Sequence, residues 1–73
     1  MKLHKQSVLL ETETGYLDVV SYYDSGTNTF GADIYYCNMF VETINSMTKE
    51  PSYENLVSLG YSFIKINNYK IND

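Results

Sequence analysis

Ser7–Tyr36, SVLLETETGYLDVVSYYDSGTNTFGADIYY, is the stretch whose reading decides the fold. Val8, Leu10 and Thr12 alternate with Ser7, Leu9, Glu11 and Glu13, the period of a half-buried strand. Thr14-Gly15 supplies a turn, because glycine tolerates positive φ. Tyr16–Tyr23 is a second strand of tyrosine and valine, residue types that suit a pleated surface. Leu17 and Val19 face its core, since the opposite choice buries Asp18. Asp24–Asn28, DSGTN, is a second turn. Thr29–Tyr36 follows as a third strand, with Phe30, Ala32, Ile34 and Tyr36 inward and Asp33 and Tyr35 outward. Short turns between neighbouring strands make a meander.

Downstream the period changes. Phe40, Ile44 and Met47, with Val41 beside them, sit at spacings of four and three and predict a helix over residues 38–49, capped by Asn38 and closed before Pro51. Phe40 is then a core residue, and its truncation to alanine would cost about 3–5 kcal/mol. Ile34, Cys37, Val41 and Ile44 also fit the helical period, so residues 33–37 are open to either reading, and strand through Tyr36 is preferred for its Ile-Tyr-Tyr. PSYENLVSL predicts a second, short helix with Pro51 in its first turn, stopped by Gly60. Tyr61–Asn67 reads as a returning strand, and Tyr69–Ile71 as a short edge strand. The expected fold is α+β: an antiparallel three-stranded meander, then two helices packed on one face, then one or two C-terminal strands, in a single small domain over residues 1–73.

Composition excludes several functions. The chain carries nine acids against five lysines and no arginine, a net charge of −4. All the lysines lie toward the ends, at Lys2, Lys5, Lys49, Lys65 and Lys70, so Glu11, Glu13, Asp18, Asp24, Asp33 and Glu42 share a span with no lysine in it. Nucleic acid is held largely by neutralising phosphates with lysine and arginine, so direct nucleic-acid binding is not expected. A basic amphipathic face for anionic lipid is missing too, and Val8-Leu9-Leu10 is too short an apolar run for a signal peptide or a membrane span. A lone Cys37 and no leader point to a reducing, cytoplasmic setting. A chain this short has a small core, so an edge strand at Tyr69–Ile71 or at the N-terminus is a candidate for pairing with a second copy in a homodimer.

Chemistry is sparse. His4 is the sole histidine and reads as a solvated side chain on a frayed terminus beside Lys2 and Lys5. Cys37 reads as an inert thiol at a strand–helix junction. Glu11 and Glu13 share a strand face with Asp18 opposite, but no glycine-rich phosphate loop, His-Glu-x-x-His motif or complete calcium loop accompanies them. We therefore expect no catalytic residues, no cofactor, no metal and no enzymatic activity.

Tyrosine is the compositional excess, at eight residues. It offers apolar area with a polar tip and is enriched in interface hot spots. Adjacent pairs at Tyr22-Tyr23 and Tyr35-Tyr36 must split between the faces of a strand. One face of the meander therefore combines tyrosine with carboxylate, and its expected partner-binding residues are Glu11, Glu13, Tyr16, Asp18, Tyr22, Asp24, Asp33 and Tyr35. Carboxylates steer encounter with a basic protein surface and aromatics anchor it. Large basic surfaces belong mostly to nucleic-acid-handling enzymes. In size and charge the chain is similar in kind to the phage-encoded inhibitors of host defence, such as anti-CRISPR and anti-restriction proteins and uracil-DNA glycosylase inhibitors. That resemblance implies an inhibitor acting as a nucleic-acid mimic. It rests on no aligned motif and assigns no residue a role. An antitoxin or immunity protein, or a homo-oligomeric assembly subunit, would use the same surface.

Overall fold

Val8, Leu17, Val19, Ala32 and Ile34 sit at alternate positions along three successive strands, and all five are buried. The computed structural model describes residues 1–67. It orders them as β1 (Lys2–Glu11), β2 (Tyr16–Asp24), β3 (Thr29–Tyr36), β4 (Met39–Met47) and α1 (Tyr53–Ile66). The strands form one antiparallel sheet in sequence order, β1-β2-β3-β4. Helix α1 lies across β1 and β2. Its buried stripe of Leu56, Gly60, Phe63 and Ile64 meets Val8, Leu17, Val19, Ala32 and Ile34 in a single apolar cluster. Truncating one of these side chains, such as Leu56→Ala, is expected to cost about 2–5 kcal/mol.

The helix starts later than expected: Pro51 precedes the cap, Ser52 is the N-cap and Tyr53 the first helical residue. Ser52 Oγ accepts from the Asn55 amide at 3.1 Å, and Asn55 Oδ1 accepts from the Ser52 amide at 3.1 Å, a reciprocal cap. Glu54 in the first turn and Lys65 in the last complement the helix dipole.

The expected three strands, two helices and returning strand are corrected to four strands and one helix. Residues 39–47 are a strand, because Cys37 and Asn38 form a two-residue hairpin turn. Both have positive φ, 50° and 67°, as the type I′ geometry favoured between antiparallel strands requires. Cys37 is therefore an exposed thiol at a hairpin tip and not at a helix start. Phe40 points away from the core and is 57 % exposed, which removes the large cavity cost expected of it. The predicted stop at Gly60 is helix interior. A Cβ there would lie 2.4 Å from Leu10 Cδ1, so the absent side chain is what lets α1 seat on the sheet. Helix then continues through Tyr61–Ile66, where a strand was expected. Gly15 likewise serves close approach and not positive φ, for its hydrogen faces Cys37 Sγ. The expected edge strand at 69–71 lies outside the described residues.

Candidate functional site

The helix covers one face of the sheet and leaves the other open. Strand alternation and register place Lys2, His4, Ser7, Leu9 and Glu11 of β1 on that open face with Tyr16, Asp18, Val20, Tyr22 and Asp24 of β2, which they oppose. Gly31, Asp33 and Tyr35 of β3, then Phe40 and Thr43 of β4, continue it. A bulge at Lys5-Gln6 keeps β1 in phase. Two residues there oppose Ser21 alone, so even-numbered residues face outward before the bulge and odd-numbered ones after it. Ser21, fully buried, satisfies the bulged backbone: its hydroxyl accepts from the Gln6 amide at 3.0 Å and donates to the Gln6 carbonyl at 3.2 Å.

The face has two unlike halves. At one end Asp33, with its side chain only 3 % exposed, accepts from Lys2 Nζ and His4 Nε2, each at 3.0 Å. Burial pushes the Asp33 carboxyl up. Hydrogen bonds from His4, Thr43 and Lys2, with the Lys2 charge, outweigh that and hold it below the ordinary 3.8. The bond to Asp33 raises Lys2 above its ordinary 10.5. Lys2 Nζ also stands 4.4 Å above the centroid of the buried Tyr22 ring, a cation–π contact. Gly31 leaves room for that ring, since a Cβ at this position would lie 2.5 Å from the Tyr22 hydroxyl.

The other half is open and largely unpaired. Leu9, Asp18, Tyr35 and Phe40 oppose one another in a single row across all four strands, with Glu11 and Tyr16 in the next row. Leu9 is 60 %, Phe40 57 % and Tyr16 53 % exposed. Tyr35 and Phe40 meet edge to face, with ring centroids 5.8 Å apart.

Of the residues expected to bind a partner, Glu11, Glu13 and Tyr16 are exposed, and Asp18, Asp24 and Tyr35 are partly so. Glu13 sits in the β1–β2 turn, off the strands. Asp24 is engaged with its own chain: the Gly26 amide at 2.9 Å and the N-terminal ammonium at 3.4 Å hold its carboxyl low. Tyr22 and Asp33 are buried beneath Lys2 and His4. The acidic face free of lysine along the chain is thus not free of cations in space, and His4 is a strand residue bonded to Asp33, not a frayed one. Lys2, His4, Thr43, Leu9 and Phe40 were not foreseen as site residues. The signal that could have found the first two is Asp33 itself: an acid in the middle of a central strand needs a cation.

Among the described residues no group of three or more histidine, cysteine, aspartate or glutamate side chains is placed to hold a metal, and no helix is long and apolar enough to cross a membrane. Comparison with known proteins finds no matching family model, no matching curated protein and no matching solved structure.

Proposed function

We propose that this chain acts by binding and not by chemistry. In this reading it is a small acidic inhibitor that lays the open half of its sheet on the basic, nucleic-acid-binding groove of a DNA- or RNA-processing enzyme. One observation carries the reading: Leu9, Tyr16, Tyr35 and Phe40 stand together, exposed or partly so, on a sheet face whose neighbouring charges are Glu11 and Asp18. Sheet faces in water are usually polar, and exposed aromatic and aliphatic side chains gathered around carboxylates mark an interaction surface. Aromatic anchors supply the buried area, and the carboxylates among them steer the approach. Relative to the reading from sequence, Leu9 and Phe40 enter the contact set while Tyr22 and Asp33 leave its first layer.

The test is capture of basic proteins on the immobilised chain, compared with capture on Tyr35→Ala and Phe40→Ala, with duplex DNA or RNA added as competitor. The reading expects a partner that nucleic acid displaces and that both variants lose by roughly thirtyfold or more, the equivalent of a hot spot of about 2 kcal/mol. Equal capture by all three chains would refute it.

A further inference from the structure

The buried half of the open face looks closed to partners, yet what closes it is weakly built in. Residues 1–7 are all exposed, and the first core residue of β1 is Val8. Before the bulge at Lys5-Gln6, β1 pairs with β2 only through Lys2, Leu3 and His4, and Leu3 is 54 % exposed. Beyond its ladder bonds, this strap is held by polar contacts. Lys2 and His4 bond Asp33, Lys2 covers the Tyr22 ring, the N-terminal ammonium reaches Asp24, and the Ser25 amide donates to the Met1 carbonyl at 3.1 Å. No apolar side chain of the strap is buried.

What lies beneath it is different in kind. Asp33 is on central strand β3 and Tyr22 on central strand β2, each about 2 % exposed. The Thr43 hydroxyl of β4 lies 3.4 Å from the Ala32 carbonyl oxygen and 3.4 Å from the Tyr22 hydroxyl. A carboxylate beside an aromatic face, on strands fixed by the core, is a receptor for a cationic side chain. Lys2 satisfies both parts of it at once, as an arginine or lysine from outside would.

We propose that Asp33, the Tyr22 ring and Thr43 form a binding site for a lysine or arginine side chain of the partner, and that Lys2 and His4 occupy it as an internal stand-in until that side chain displaces the strap. This rests on the proposed docking of the open face and extends it. Once the strap swings away at its bulge, Glu11, Tyr16, Asp18, Tyr22, Asp33 and Tyr35 become one continuous tyrosine–carboxylate surface. The exchange trades one cation for another, so Asp33 is never left buried and unpaired, and a partner without a correctly placed cation has nothing to offer in return.

The experiment uses the full isotope-labelled chain and two probes, acetyl-arginine-amide and its uncharged counterpart acetyl-citrulline-amide, followed by backbone amide shifts at neutral pH. In the Lys2→Gln/His4→Gln double variant, the arginine probe should move the amides of Gly31, Asp33 and Thr43 saturably, and the citrulline probe should not. In the native chain those amides should move less and saturate at higher probe concentration, because the strap competes. Adding Asp33→Asn to the double variant should abolish the response. Both altered side chains lie outside the apolar core, Lys2 at 40 % and His4 at 49 % exposure, and unshifted amides at Leu17, Val19 and Ile34 confirm that the variant is folded. A double variant that shows no saturable arginine response at Asp33 overturns the proposal. If Glu11 and Asp18 respond in that same titration, the docking reading survives; if neither end of the face responds, both fall.

Discussion

Asp33 and Asp18 sit on the same sheet face, on neighbouring strands, and have opposite fates. Asp33 is buried, bonded to a lysine and a histidine, and flanked by a ring that the lysine covers. Asp18 lies between Leu9 and Tyr35 in a row that ends on an exposed Phe40, with no ion pair among the described residues. The difference comes from β1. Ahead of its bulge the strand brings cations over the sheet, and after it the strand brings Leu9 and Glu11. One end of the face is therefore closed by the chain itself, and the other keeps Leu9, Tyr16 and Phe40 exposed. Net acidity says little about where such a protein can be met; the register of a single edge strand says more.

Substitutions in the closed end should be felt by the fold, and those in the open end by binding. The largest effect is expected at Gly31→Ala. A Cβ there would lie 2.3 Å from the Ile44 carbonyl oxygen and 2.5 Å from the Tyr22 ring, and the carbonyl belongs to a strand that cannot retreat without losing ladder bonds. Loss of about 3 kcal/mol, the upper part of the range for overpacking, is expected in urea unfolding. A change under about 0.5 kcal/mol, the level of an ordinary surface substitution, would mean that the closed end is not packed as described.

Next is Asp33→Asn, which weakens charge-assisted bonds but leaves Lys2 and His4 free to reach water; roughly 1–2 kcal/mol should go. The same variant carries a pH signature. The folded Asp33 carboxyl lies below 3.8, so its contribution is present above that value and is lost as the pH falls through the lower, folded one. Lys2 has the opposite sign. Raised above 10.5, it contributes in full below that pH and loses its contribution as the pH climbs past the folded value. Stability of the native chain should therefore decline at both extremes. Asp33→Asn should flatten both limbs, since the two shifts share one ion pair. Unaltered limbs in chemical denaturation across pH would assign the acid loss to other carboxylates.

The smallest effect on stability is expected at Leu9→Ala, under about 1 kcal/mol, because the side chain is 60 % exposed and leaves no core cavity. A midpoint shift as large as that of Leu56→Ala would place Leu9 in the core and erase the distinction between the two ends.

β2, β3 and the part of β1 after its bulge were legible because their alternation is unbroken there, whereas Lys2–Gln6 of β1 was read as a frayed terminus. Leu17, Val19, Ala32 and Ile34 are buried as their spacing requires. β4 was misread for a reason visible in its register. It is irregular opposite Ile34-Tyr35 and again opposite Phe30–Ala32, where Ser46 takes a φ of 63°. Each extra residue shifts the phase, so a strand whose outward Phe40 and inward Ile44 lie four apart imitates a helix. The turn before it was hidden as well, since Cys37 and Asn38 adopt positive φ without glycine. In α1 the stripe Leu56, Gly60, Phe63, Ile64 has helical spacing, but reading glycine as a stop cut it in half. The open face was legible only in part: Glu11, Tyr16, Asp18 and Tyr35 lie on it exposed or partly so, but Tyr22 and Asp33 are buried and Glu13 lies off the strands. What closes one end of it was not, because Lys2 and His4 reach Asp33 from 31 and 29 residues away, through a bulge that local pattern does not announce.

The most direct test of the account is the affinity of a captured partner for charge-reversed chains: Asp18→Lys on the open half of the sheet face against Glu54→Lys on the exposed surface of α1. Placing a cation in the aromatic row should slow association and weaken binding by tenfold or more, with a smaller dependence on salt, while the helix variant binds as the native chain does. Unchanged affinity for Asp18→Lys together with loss of binding by Glu54→Lys would contradict it and move the interface to the helix.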